Sequence, residues 1–196
     1  MNFRLTLFAM LAALPGLQIS ASAQNPPLRA PDVRYEPSTT EQTLAMLRLA
    51  GVTKNDVVYD LGCGDGRLVI TAAKEFGARG VGIDIDPVRI RESVVNAQQA
   101  GVTRLVQFRN QDLYEADIHD ATVVMLYLWP EINLKLRPKL WKDLKPGTRI
   151  VSNAHDMGDW KPEKQIKADG ANIYLWTITM ALKKVPQKYP LSRHLI

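Results

Sequence analysis

Asp56-Val57-Val58-Tyr59-Asp60-Leu61-Gly62-Cys63-Gly64-Asp65-Gly66 is the stretch that decides the fold. Asp56 to Leu61 is a short apolar run of strand length, and it ends in three closely spaced glycines. A helix pattern follows from Leu68 to Phe76, closed by Gly77, and a second buried strand runs from Gly80 to Asp84. Strand, glycine turn, helix, strand is the unit that builds parallel sheets. Working outward, the same alternation continues. Asp86-Pro87 opens a helix that Gly101 ends, with proline at the first helical position. Leu105–Phe108, Thr122–Leu128 and Thr148–Ser152 read as strands, and Pro138–Leu144 as a helix. Upstream, Ser38 with Glu41 forms a capping box for a helix that carries Leu44, Leu47 and Ala50 and stops at Gly51. Beyond Trp160 the rhythm changes. Gln165–Lys167, the turn Asp169-Gly170 and Ile173–Leu182 read as an antiparallel hairpin. The fold expected is a doubly wound α/β sheet with a C-terminal antiparallel hairpin.

Composition narrows the function classes. The 196 residues suit one domain with a short extra segment, and 46% hydrophobic content excludes a disordered or collagen-like chain. Cys63 is the single cysteine, so no intramolecular disulfide forms, and with three histidines no metal site is expected. The net charge of +5 comes from 25 basic and 20 acidic residues, a mixed surface without the clustered basic stripe of a nucleic-acid binder.

The chemistry lies at the ends of the first three strands, where open α/β sheets bind ligands. The turn reads G-x-G-x-G through Gly62, Gly64 and Gly66, unlike the G-x-G-x-x-G of dinucleotide sites, and Asp60 stands immediately before it. A carboxylate there repels a pyrophosphate and suits an ammonium group. S-adenosylmethionine carries an ammonium and a sulfonium, and no phosphate. Asp84, 20 residues after Gly64, is placed to accept from two ribose hydroxyls. Asp112, after the third strand, can accept from an adenine amino group while Leu113 packs on the ring. Each acid alone also reads as a turn or cap residue; together they grip the amine, ribose and base of one ligand.

Val57–Gly66, the Gly82-Ile83-Asp84 strand end and Asp112-Leu113 resemble class I S-adenosylmethionine-dependent methyltransferases over roughly residues 35–182. Tyr35-Glu36-Pro37-Ser38, Asp65-Gly66-Arg67 and Tyr127-Leu128-Trp129-Pro130 resemble a lysine methyltransferase-like group. That group includes the mitochondrial enzymes acting on the ATP synthase and on the ADP/ATP translocase. The resemblance implies a seven-stranded Rossmann-like sheet whose last hairpin reverses direction, and it places Tyr35 with the cofactor. It also implies N-methylation of a protein lysine. A small-molecule methyltransferase and an exported cofactor-binding module without turnover remain the alternatives.

The acceptor side carries fewer signals. Strand four lacks the Asn/Asp-Pro-Pro-aromatic motif of enzymes that methylate base amines or glutamine amides, which argues against those acceptors and against a nucleic-acid partner. Tyr127 and Trp129 either flank the sulfonium and orient an amine or serve as core aromatics. His155 is a base for the acceptor or an idle loop histidine, and Trp160 a pocket wall or the start of hairpin packing. Cys63 reads as a small residue rather than a thiol nucleophile. Because the leaving group is already activated, alignment and water exclusion matter more than a proton-transfer residue.

The ends of the chain read separately. Residues 1–23 have Arg4, an apolar run from Leu5 to Leu17 and Ala21-Ser22-Ala23, the pattern of a signal peptide cut before Gln24. A buried helix or an uncleaved anchor is the alternative. The expected organisation is signal peptide 1–23, extended linker 24–37, methyltransferase domain 38–185 and basic tail 186–196, exported to the periplasm or envelope as a monomer. Lys183, Lys184, Lys188, Arg193 and His194 are either a solvated tail or a contact for a membrane surface. Export conflicts with a cofactor made in the cytoplasm.

Overall fold

Residues 28–184 are described by the structure, a computed structural model. The proposed signal peptide and the basic tail from residue 186 lie outside the described residues. Seven strands form one sheet: β1 (Val57–Leu61), β2 (Arg79–Asp84), β3 (Val106–Asn110), β4 (Val123–Leu126), β5 (Arg149–Asn153), β6 (Lys164–Ala168) and β7 (Ala171–Thr177). Their order is β3-β2-β1-β4-β5-β7-β6, with β7 antiparallel to both neighbours and the other adjacent pairs parallel. The chain winds outward from β1 to β3 and then returns to the other side of β1. That reversal opens a crevice at the carboxyl ends of β1 and β4.

Side-chain alternation assigns the two faces. Val58, Val123, Met125 and Val151 pack on one side with Met46 and Leu47 of α1 (Thr40–Leu49) and Val69 and Ala72 of α2 (Arg67–Phe76). Ala97 of α3 (Pro87–Gln99) joins Ile70 and Ala73 of α2. On the opposite side, Tyr59, Leu61, Val124, Leu126 and Ile150 meet Ile132, Leu136 and Leu140 of α4 (Pro130–Asp143). The outer strand β6 exposes Lys164 and Lys167, charges that discourage edge-to-edge pairing.

Several boundaries shift by one or two residues from the sequence reading, and four differences bear on packing or on the site. The capping box of α1 uses Thr39 and Gln42, one residue after Ser38 and Glu41. Gln42 prevails because its buried amide also donates to the Asp169 carbonyl and accepts from Asn153, tying α1 to the hairpin. Helix α4 begins at Pro130, not Pro138. Pro138 lies inside it, and burial of Ile132, Leu136 and Leu140 carries the helix past the one donor that proline removes. Strand β4 ends at Leu126, so Tyr127 and Leu128 belong to the connection into α4; β7 ends at Thr177, not Leu182.

At the opposite end of the sheet from the crevice, a charged clamp holds three strands. The Asp56 carboxylate accepts from the Thr53 amide at 2.8 Å, from the Thr122 hydroxyl at 2.7 Å, and from the Arg149 guanidinium. Arg149 also donates to the Ala50 carbonyl at 2.6 Å. Burial pushes the Asp56 carboxyl up, but these donors and the arginine outweigh it and hold it below its ordinary value. Asp56→Asn is therefore expected to lower unfolding free energy by about 2 kcal/mol at pH 7, within the range for hydrogen bonds to charged groups. A depressed carboxyl stabilises above the unfolded pKa of ~3.9 and loses that contribution as pH falls below it, so the gap between variant and wild type narrows in acid. Urea unfolding at pH 7 and pH 3 measures both.

Candidate cofactor and acceptor site

The glycine turn sits in the crevice. Gly62 and Cys63 donate backbone N–H bonds to the Ile83 carbonyl at 2.8 and 3.0 Å, fastening the turn to the end of β2. Asp84 closes it from the same strand. One of its carboxylate oxygens accepts from the Gly64 N–H at 2.8 Å and the other from the Asp86 N–H at 2.9 Å. Gly64 has φ of +53°, and a Cβ there would lie 2.2 Å from the Tyr35 ring. Gly66, at φ +80°, leaves no room beside Phe108 and Ser93. Two of the three glycines thus let β1, α3 and the N-terminal segment approach one another.

Asp60 lies buried at the base of this turn, and no side-chain hydrogen bond or ion pair reaches it among the described residues. Burial, followed by the charges of Asp84 and Asp65, pushes its carboxyl up to about 8. A buried polar group without a partner is costly. Asp60 does not itself line the cavity, but it stands two residues before Gly62, which does. An ammonium partner would relieve that cost, so the chemistry of the group fits the amino-acid end of S-adenosylmethionine.

Tyr35, Gly62, Asp84, Asp112, Leu113 and Tyr127 line one cavity, so most of the sequence-predicted cofactor residues come together. Asp112 is a turn residue, accepting from the Tyr114 amide at 2.9 Å, and it lines the cavity, where it accepts from Arg29 Nε at 2.7 Å. Trp129 and His155 lie outside that lining. They stack on each other with ring centroids 6.2 Å apart, and Trp129, half exposed, borders a neighbouring depression with Glu131 and Lys135. Burial and then the Glu36 charge raise the Tyr127 phenol. Trp160 takes the packing alternative: it meets Trp141 edge-on at 5.4 Å, and its carbonyl accepts from the Trp176 indole at 2.7 Å. Cys63 is buried and its thiol is pushed up, first by burial and then by Asp60 and Asp84, so no thiolate nucleophile stands there.

The sequence reading placed Tyr35 with the cofactor but missed the rest of the wall formed by residues 29–36. Read as a linker, this segment lines the cavity from Arg29 to Glu36, and Val33 packs on the central core. Tyr35 is held under the Arg89 guanidinium, 4.5 Å from its ring centre, and Arg67 donates to the Ser38 carbonyl at 2.6 Å. Val33 and Tyr35, two apolar residues two apart among prolines and charges, were the available signal.

The sequence profile of the ANTKMT methyltransferase domain matches residues 60–164. The chain belongs to this methyltransferase family. A protein-lysine N-methyltransferase of Saccharolobus islandicus is 43% identical over 76% of this chain and 95% of its own length. A lysine N-methyltransferase of the ATP synthase from Xenopus laevis is 31% identical over 87% of this chain and 75% of its own length. Among solved structures, an RNA methyltransferase from Salinibacter ruber in complex with S-adenosyl-L-homocysteine is 49% identical, with a TM-score of 0.74, covering 81% of this chain and all of that one. This methyltransferase uses S-adenosylmethionine, as the glycine turn and its acids led us to expect, on the seven-stranded sheet that the family resemblance implied.

Gly64→Ala tests the packing of the turn. The added methyl displaces Tyr35 and strains a positive φ, so affinity for S-adenosylhomocysteine is expected to fall about tenfold or more, from strain of about 1–3 kcal/mol. Isothermal calorimetry reads it; unchanged affinity means that Tyr35 can leave the turn without consequence.

Proposed function

We propose that this methyltransferase transfers the methyl group of S-adenosylmethionine to the side-chain amine of a protein lysine. The family membership, with a 43% identical relative named a protein-lysine N-methyltransferase, carries this reading. When bound, the cofactor supplies a methyl already activated by the sulfonium. Asp60 takes its ammonium, Asp84 its ribose hydroxyls, and Asp112 with Leu113 its adenine. The Gly62–Gly66 turn lets the ligand lie against backbone. Tyr127 faces the same cavity beside Gly62, at the strand end from which an amine can reach the methyl. Trp129 and His155 form the outer rim. Val33, Tyr35 and the rest of the N-terminal wall exclude water from the cavity.

A second reading is methyl transfer to RNA, favoured by the name of the 49% identical Salinibacter ruber structure. Radiolabelled cofactor with separated protein and RNA fractions distinguishes the two. Label is expected in protein, recovered after hydrolysis as methylated lysine; label confined to RNA overturns the lysine reading.

The assignment of Asp60 has a proton signature. Its carboxyl, pushed up to about 8, is mostly protonated at pH 7, and an ammonium partner favours the ionised form. Binding of S-adenosylhomocysteine is thus expected to release about one proton at pH 7 and to tighten from pH 6 to pH 7.5. Calorimetry in buffers of different ionisation enthalpy measures the release, and Asp60→Asn should abolish it. Asp84→Ala is expected to weaken binding by about 1–3 kcal/mol, through lost charge-assisted hydrogen bonds and a loosened turn.

A further inference from the structure

Five carboxylates line the cavity: Asp32, Glu36, Asp84, Asp86 and Asp112. Four are already engaged. Asp32 and Asp112 pair with Arg29, each at 2.7 Å. Asp84 accepts from the Gly64 and Asp86 amides, and Asp86 caps α3 by accepting from the Val88 amide at 2.7 Å. Glu36 differs. Among the described residues no hydrogen bond or ion pair reaches its side chain, although Arg34 stands two residues before it and lines the same cavity.

The position of Glu36 sets it apart as much as its freedom. It is exposed, while its neighbour Tyr35 covers Gly64 on the inner side. It lines the same cavity as Tyr127, whose phenol its charge helps to raise. Leu128, next to Tyr127, closes against Gly62, where an added Cβ would meet it at 2.9 Å. Glu36 thus lines the cavity together with Gly62 of the glycine turn and with Tyr127 and Leu128, which follow β4. A free carboxylate in one cavity with an aromatic ring suits an alkylammonium ion: the charge pairs with the cation, and the ring face accepts its methylenes. The same carboxylate repels a phosphate backbone.

Resting on the amine-acceptor reading above, we propose that Glu36 is the residue that recognises the acceptor, pairing with its ammonium in the cavity it shares with Tyr127 and selecting cationic amines. The pair favours the charged form of the acceptor, so Glu36 acts at encounter and alignment and is not the group that removes the proton. Its effect belongs in KM.

The test uses the full chain, an oligolysine peptide as acceptor and, separately, binding of that peptide to protein saturated with S-adenosylhomocysteine. Glu36→Gln is expected to raise KM and the peptide Kd about fivefold to tenfold at low salt, with kcat within about twofold, and the difference should shrink as salt screens the pair. Glu36→Asp should recover most of the loss, and affinity for S-adenosylhomocysteine should be unchanged in both variants. Wild-type KM and Kd in Glu36→Gln, with the wild type active on the peptide, overturn the role of Glu36 and leave the amine reading standing. Transfer by the wild type to RNA but to no amine overturns both.

Discussion

The site depends on one carboxylate. Asp84, at the end of β2, receives the amide of Gly64 in the turn after β1 and the amide of Asp86 that begins α3. Strand, turn and helix start are thereby fixed to the two oxygens of a single side chain. Charge-assisted bonds to backbone amides are short and directional, so the turn has one geometry before any ligand arrives. The other cofactor-facing groups take their places from it. Gly64 leaves space for Tyr35, Tyr35 orders the N-terminal wall, and the wall brings Arg29 to Asp112.

The sheet separates two tasks. At the amino ends of β1, β4 and β5, the Asp56–Arg149 clamp is satisfied by donors from three segments and holds the strands in register. At the carboxyl ends, Asp60 is buried without such partners. Two aspartates only four residues apart, one just before β1 and one within it, thus have opposite environments. Asp56 is held below its ordinary value by its donors, and Asp60 is pushed above its own by burial. A buried carboxyl left without a partner is a cost that a ligand can remove.

What the sequence made legible was local. The G-x-G-x-G turn, Asp60, Asp84 and Asp112 are each defined by their place at the end of an apolar run, and the run itself is visible. Helix α4 was half hidden because Pro138 reads as a helix start, whereas tertiary burial of Ile132 and Leu136 extends the helix upstream. The cap of α1 was displaced by one residue because Gln42 bonds to groups more than a hundred positions away. Residues 29–36 escaped for the same reason, apart from Tyr35, which the family resemblance placed with the cofactor. They form no helix or strand, and their order comes from contacts with Asp112, Gly64 and Arg89 that no local pattern encodes.

That wall has a property set by its prolines. Pro31 lies between the anchor at Arg29 and the anchor at Tyr35, and Pro37 follows at once. Each proline fixes its own φ and restricts the residue before it, so this segment has few conformations to lose when the chain folds. Laying it across the glycine turn is therefore entropically cheap, and Val33 adds an apolar contact with the core between its anchors at Arg29 and Tyr35.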